Sequence, residues 1–221
     1  MARLMVAAAA GLAVASLVVA PQWVLASPTR AESPCARGYS YSGYASQTGA
    51  RGVAAWISAT RSPTVASGHA AAWVGVGGVH EARGGKSAWL QAGIAAFPGR
   101  GLHLYVEEVS VGQARRFLDL GSARPGHRYR VAVLETGPDL WQAAVDGHSI
   151  GTPAYLPAGT GAWRAVATAE SWTDGRVRCN SFAYRFQQVV ILGATGWSPL
   201  AEAQLVGGGV TRDRTGFSAR A

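Results

Sequence analysis

From Arg51 onward the chain alternates short apolar runs with turn-forming clusters. Runs of Val, Ala, Leu, Ile, Trp and Tyr are broken by "SPTVASG", "ARGG", "FPGRG", "ARPGH", "TGPD", "VDGH" and "LPAGTG". Such spacing predicts strands near 51–60, 70–77, 87–95, 101–109, 114–120, 128–136, 140–146, 163–171 and 181–192. No stretch keeps a helical period with caps. Many short strands at regular intervals predict an all-β chain, an antiparallel β-sandwich or jelly roll.

Residues in a strand point alternately to its two faces, so each run divides into two sets. Leu90, Ala92 and Ile94 share one face, and Trp89, Gln91 and Gly93 the other. Leu102, Leu104 and Val106 lie opposite His103, Tyr105 and Glu107. Trp163, Ala165, Ala167 and Ala169 lie opposite Arg164, Val166, Thr168 and Glu170. Each strand thus has a packing face and a mixed polar–aromatic face. In one curved sheet the second faces combine into a groove floored by Trp89, Gln91, His103, Tyr105, Glu107, Thr168 and Glu170. Aromatic rings beside a few polar groups suit a ligand site. An ordinary solvated sheet face gives the same alternation.

The ends read differently. Arg3 precedes an apolar run from Leu4 to Ala20, Pro21 and Gln22 interrupt it, and Val24-Leu25-Ala26 offers a small-residue cleavage site. Residues 1–26 therefore read as a cleaved export signal, with an uncleaved anchor as the alternative. Residues 27–50 read as a lead-in with little regular structure. Residues 51–192 form the sandwich, and 193–221 a Gly-rich extension, either a flexible tail or a loosely packed one. The two cysteines, Cys35 and Cys179, suggest one disulfide in an exported chain. The cysteines and five scattered histidines show no metal-ligand spacing, and no cofactor is implied. The chain of 221 residues carries 20 Lys and Arg against 12 Asp and Glu. Lys86 is the only lysine, and the arginines form no run, so a solvated basic surface is expected rather than a dedicated nucleic-acid site. No membrane contact is expected beyond the export signal.

The amide and carboxylates of the groove suggest chemistry. A Glu can activate water as a general base, and its conjugate acid can protonate a leaving group. An amide N–H can stabilise a developing oxyanion. A pair of carboxylates, Glu107 and Glu170, could instead cleave a glycosidic bond. "YVEEVS" lacks the E-x-D-x-x-E spacing common in jelly-roll glycosidases, so the amide-hydrolysing pair is preferred.

"AWVGVGG", "WLQAGI", "LYVEEV" and "ATAESW", in that order, resemble the motifs of the eqolisins, the glutamic peptidase family. The resemblance covers roughly residues 51–192. It implies a concanavalin A-like sandwich, like that of legume lectins and glucanases, and endopeptidase activity on a polypeptide substrate. It implies Gln91 and Glu170 as the catalytic pair, with Glu107 as a supporting groove residue and Trp73 at the head of the first motif. Trp73, Trp89, His103, Tyr105, Glu107 and Thr168 are then the candidate substrate-binding residues. The chain departs from the pattern at Gly77, where the family commonly has an acid, and at Glu170-Ser171-Trp172, where the tryptophan is displaced by one position. Three readings stand: a secreted glutamic endopeptidase, a secreted non-catalytic module that binds glycans or peptides in the same groove, and, if that face is flat, a structural cell-surface domain with no ligand.

Overall fold

The computed structural model describes residues 37–221 except 83, 176–177 and 201–202. The described residues form strands and loops with no helix. The strands are β1 (Gly38–Gly49), β2 (Gly52–Ala59), β3 (His69–Ala82), β4 (Lys86–Phe97), β5 (Gly101–Val109), β6 (Arg116–Ser122), β7 (Tyr129–Gly137) and β8 (Leu140–Val145). They continue as β9 (His148–Tyr155), β10 (Arg164–Thr173), β11 (Ala183–Gly193), β12 (Gly196–Pro199), β13 (Ala203–Gly207), β14 (Val210–Asp213) and β15 (Gly216–Arg220). One sheet runs β13-β1-β10-β3-β4-β5-β6. The other runs β14-β15-β11-β2-β7-β8-β9, with β12 paired to β11. The two sheets stack as an antiparallel sandwich, as the alternation predicts.

All nine expected strands are present within a few residues of their expected limits. The ends differ from expectation. Gly38–Gly49, placed in an irregular lead-in, is β1, and it pairs along its length with β10. The Gly-rich end, expected as a flexible tail or a loosely packed extension, supplies β12 to β15. β1 hides its pattern because its outer positions are Tyr39, Tyr41 and Gly43 rather than a polar set, and β12 and β14 because they are four residues long and mostly exposed. Residues 1–26 and Cys35 lie outside the described residues, and with them the export signal and one end of the expected disulfide.

The core lies between the sheets. The first sheet contributes Val74, Val76, Leu90, Ala92, Ile94 and Val106. The second contributes Val53, Ile57, Val131, Val133, Trp141 and Phe186. Ala165, Ala167 and Ala169 on β10 and Ala70 and Ala72 on β3 are fully buried in the same cluster. Small side chains on the central strands of one sheet leave room for the large buried rings of the other, Trp141, Tyr184 and Phe186. The outer face of the first sheet stays clear of this core and carries the polar groups discussed next.

Close backbone approach fixes that face. A Cβ on Gly93 would sit 2.0 Å from the Ala72 carbonyl oxygen and 2.7 Å from the Trp73 Cα. Both obstacles are backbone, so the strands would have to separate. Gly93→Ala is expected to destabilise the chain by about 1–3 kcal/mol, the usual range for overpacking. Urea unfolding checks it, and an unchanged midpoint would contradict the packing of β3 against β4.

Candidate functional site

Strand register arranges the outer face of the first sheet in three rows. The first row is Tyr41, Glu170, Ala71, Ala95 and His103. The second is Gly43, Thr168, Trp73, Gly93, Tyr105 and Asp119. The third is Val166, Gly75, Gln91, Glu107 and Phe117. Glu170 and Gln91 stand on the strands that flank β3. They are offset by four residues, about 13 Å along the strand direction. The side chain between them is Trp73, and the small residues Ala71, Gly75 and Gly93 leave the floor low.

Glu170 is buried and doubly held. His69 Nε2 lies 2.7 Å from Oε1, within reach for its N–H to donate. Trp73 Nε1 donates to Oε2 at 3.1 Å. Gln91, 8% exposed, donates from Nε2 to the Tyr105 hydroxyl at 3.2 Å. An amide nitrogen has two hydrogens, so that bond leaves one for a ligand. Trp89 Nε1 donates to Glu107 Oε1 at 3.1 Å, and Arg115 Nη1 approaches the same oxygen at 4.0 Å.

The electrostatics tie these groups together. Burial, followed by the negative charges of Glu170 and Glu107, holds the Tyr105 hydroxyl well above its ordinary pKa. Burial and the Glu170 charge likewise raise Tyr41 and Tyr39. All three hydroxyls thus stay neutral and available as donors around the buried Glu170 and the half-buried Glu107. Burial also raises the Glu107 carboxyl, opposed by Arg115 and by the Trp89 bond.

The Glu107 shift has a consequence for stability. The folded chain binds this proton more tightly than the unfolded chain does. The resulting stability is present below the unfolded pKa and is lost as pH rises through the folded value. Glu107→Gln is therefore expected to raise the unfolding midpoint at neutral pH and to leave it unchanged in acid. Urea titrations at the two pH values check this, and a lowered neutral midpoint would contradict it.

The sequence-derived candidates separate into groups. Trp73 joins Glu170, Trp89 joins Glu107, and Tyr105 joins Gln91. Thr168 is 1% exposed, and its hydroxyl donates to the Ala169 carbonyl, so it supports the floor beside Trp73. His103 lies on the same face, but its nitrogens are bonded to Asp119 Oδ1 and the Arg100 carbonyl at the strand end. Of the five histidines, sequence reasoning placed only His103 on the groove. His69 instead opens β3 and bonds Glu170. The predicted strand began one residue late, at 70; extending the alternation of Ala71, Trp73 and Gly75 back by two finds His69.

A rim of half-exposed rings encloses the carboxylate. Tyr39 stacks with Tyr41 at 6.1 Å and meets His69 at 6.1 Å and Trp172 at 6.4 Å. Phe97 meets His69 at 6.2 Å and Phe117 at 5.7 Å, and Phe117 stacks on Tyr105 at 5.2 Å. The one-residue displacement of tryptophan after Glu170 matters here. Ser171 faces the interior and is bonded by Asn180, whereas Trp172 shares the outer face with Glu170 and joins the rim. Gly77 has φ of 81°, and a Cβ there would lie 2.2 Å from the Ala88 carbonyl oxygen. The backbone leaves no room at that position for an acidic side chain.

No family model and no curated protein matches the chain. Solved structures do. A scytalido-glutamic peptidase bound to a peptide-based transition state analogue aligns with TM-score 0.60 and 16% identity, over 86% of this chain and 98% of that one. SCP-B, a member of the eqolisin family of peptidases in complex with the tripeptide Ala-Ile-His, aligns with TM-score 0.57 and 15% identity, over 86% and 98%. The likeness is one of fold, and it agrees with the resemblance read from the motifs.

Proposed function

We propose that this chain is a divergent, exported glutamic endopeptidase that hydrolyses peptide bonds with Glu170 and Gln91. The observation that carries the reading is the placement of a buried, fixed carboxylate and a buried amide with a spare N–H on one face, in the sequence context of the eqolisin motifs.

A peptide laid across β10, β3 and β4 presents its carbonyl between the two groups. Glu170 takes a proton from water as the water oxygen attacks the carbonyl carbon. Negative charge develops on the carbonyl oxygen, where the free hydrogen of Gln91 Nε2 is donated to it. The tetrahedral intermediate collapses as the C–N bond breaks, and Glu170 returns its proton to the leaving nitrogen. His69 and Trp73 hold the carboxylate in place, and the aromatic rim receives substrate side chains. The mature chain begins after Ala26 and is tied by a Cys35–Cys179 disulfide, with residues 27–221 acting outside the cell.

The second reading, a non-catalytic module for glycans or peptides, draws on the same rim of exposed aromatics. A crystal structure with a peptide-based transition state analogue separates them. The peptidase reading expects the analogue's tetrahedral centre between Gln91 Nε2 and the Glu170 carboxylate. An analogue or peptide lying along the rim with neither group touching its central oxygen would favour the binding module.

A further inference from the structure

The second sheet carries an independent feature at its β14–β15 end, away from Glu170 and Gln91, where Arg128, Arg130 and Gln187 stand on the outer face and Arg212, paired with the core residue Phe217, stands on the inner face beside Tyr44. There an open recess of about 730 Å³ is lined by Arg128, Arg130, Arg212, Arg214, Gln187 and Trp197, among others. Its volume falls within the range of small-ligand sites. We propose that it binds an acidic oligosaccharide, one whose sugar rings carry carboxylate or sulfate groups.

Charge supports an anionic ligand. Among the described residues, no carboxylate pairs with Arg128, Arg130 or Arg214. The one acid lining the recess, Asp213, is already satisfied. Its carboxylate accepts from the Thr215 and Gly216 N–H groups and pairs with Arg185, and the Thr215 backbone bond, then the Arg185 bond, lower its pKa to about 2. The recess therefore presents guanidinium groups with little to neutralise them.

The guanidinium groups are also fixed in position. Arg128 and Arg130 lie over the Trp56 ring at 4.9 and 5.9 Å from its centroid. Register sets this arrangement, because Trp56 on β2 is paired with Arg130 on β7 and with Gln187 on β11. Arg212 lies 5.3 Å over the Tyr44 ring, and its Nη2 donates to the Leu200 carbonyl at 2.7 Å. Stacked guanidinium groups lose less freedom when they bind an anion, and their planar fork suits carboxylate or sulfate oxygens.

Two further features point to sugar rather than peptide. Trp197 is 48% exposed, with no aromatic partner among the described residues, so a flat apolar face stands open at the rim. Gln187 makes no side-chain hydrogen bond among the described residues and can serve a hydroxyl as donor or acceptor.

Isothermal titration of the mature chain, residues 27–221, tests the proposal. The probes are tetragalacturonate and a sulfated tetrasaccharide, beside neutral cellotetraose, tetraglutamate and a four-base single-stranded DNA, all at one ionic strength. Saturable binding of either acidic sugar is expected, at least about tenfold tighter than any of the other three. Arg128→Gln/Arg130→Gln should weaken it about tenfold or more and flatten its salt dependence. Trp197→Ala should weaken it about tenfold and leave the salt dependence unchanged. Glu170→Gln, on the other face, should bind the sugar like the parent chain. Equal affinity for tetraglutamate or DNA would overturn the proposal, as would full binding by Trp197→Ala or no binding of either acidic sugar.

Discussion

Glu170→Gln is expected to abolish peptide hydrolysis, lowering kcat/KM by about 10²–10⁴ or more, the contribution usual for a positioned general base. The substitution keeps the size and shape of the side chain. Trp73 Nε1 can donate to the amide oxygen in place of Oε2, and the imidazole of His69 can accept from the amide nitrogen where it now faces Oε1. The fold should therefore survive with an unfolding midpoint close to that of the parent. Only the ability to take a proton from water is lost. Gln91→Ala removes the other half of the pair. Loss of one oxyanion donor costs about 10²–10³ in kcat, and because Gln91 Nε2 also fixes the Tyr105 hydroxyl, a small change in KM should accompany it. Steady-state kinetics on a peptide substrate, with thermal unfolding of each variant, read these effects. Retained activity in a well-folded Glu170→Gln would remove Glu170 from the chemistry.

Asn180→Ala is expected to have the largest effect on stability of any single polar substitution near the site. Asn180 is 1% exposed and works as a clamp. Its Oδ1 accepts from the backbone N–H groups of Ala66 and Ser67, and its Nδ2 lies within donor distance of the Ser67, His69 and Trp172 carbonyls and of Ser171 Oγ. Alanine leaves several of these interior groups without a partner, at about 1–3 kcal/mol for each unsatisfied group. Water entering the gap offsets part of this, so a loss of about 3 kcal/mol is expected. For a chain of this size that corresponds to roughly 6–12 °C in Tm. The clamp joins the start of β3 to the end of β10, the two places that carry His69 and Trp172, so activity should fall as well. A change below about 1 kcal/mol would show that the clamp contributes little.

How much of this is visible in the sequence varies with the physics of each part. The nine expected strands stand out because apolar runs alternate with turn signals, and Gln91, Glu107 and Glu170 fall opposite the packing face because side chains alternate along a strand. β1 is hidden because its outer positions are tyrosines and glycine rather than a solvated polar set. β12 and β14 are four residues long and mostly exposed, and β15 buries only Phe217 and Ala219, so the C-terminal strands give little hydrophobic signal. His69 was missed through a boundary error of one residue. The rim could not be assembled from sequence, since Tyr39, Phe97, Phe117 and Trp172 come from four strands and meet only through register. The basic recess is the same case: Trp56, Arg128 and Arg130, and Arg212 and Arg214 are far apart along the chain, so scattered arginines read as a solvated surface.

The central claim is that the face carrying Gln91 and Glu170 cleaves peptide bonds. The most direct test is incubation of an unstructured protein with purified residues 27–221, scanned from acidic to neutral pH, with new termini read by mass spectrometry. The account predicts internal cleavage that disappears in both Glu170→Gln and Gln91→Ala. A well-folded parent chain that produces no new termini at any pH would contradict it.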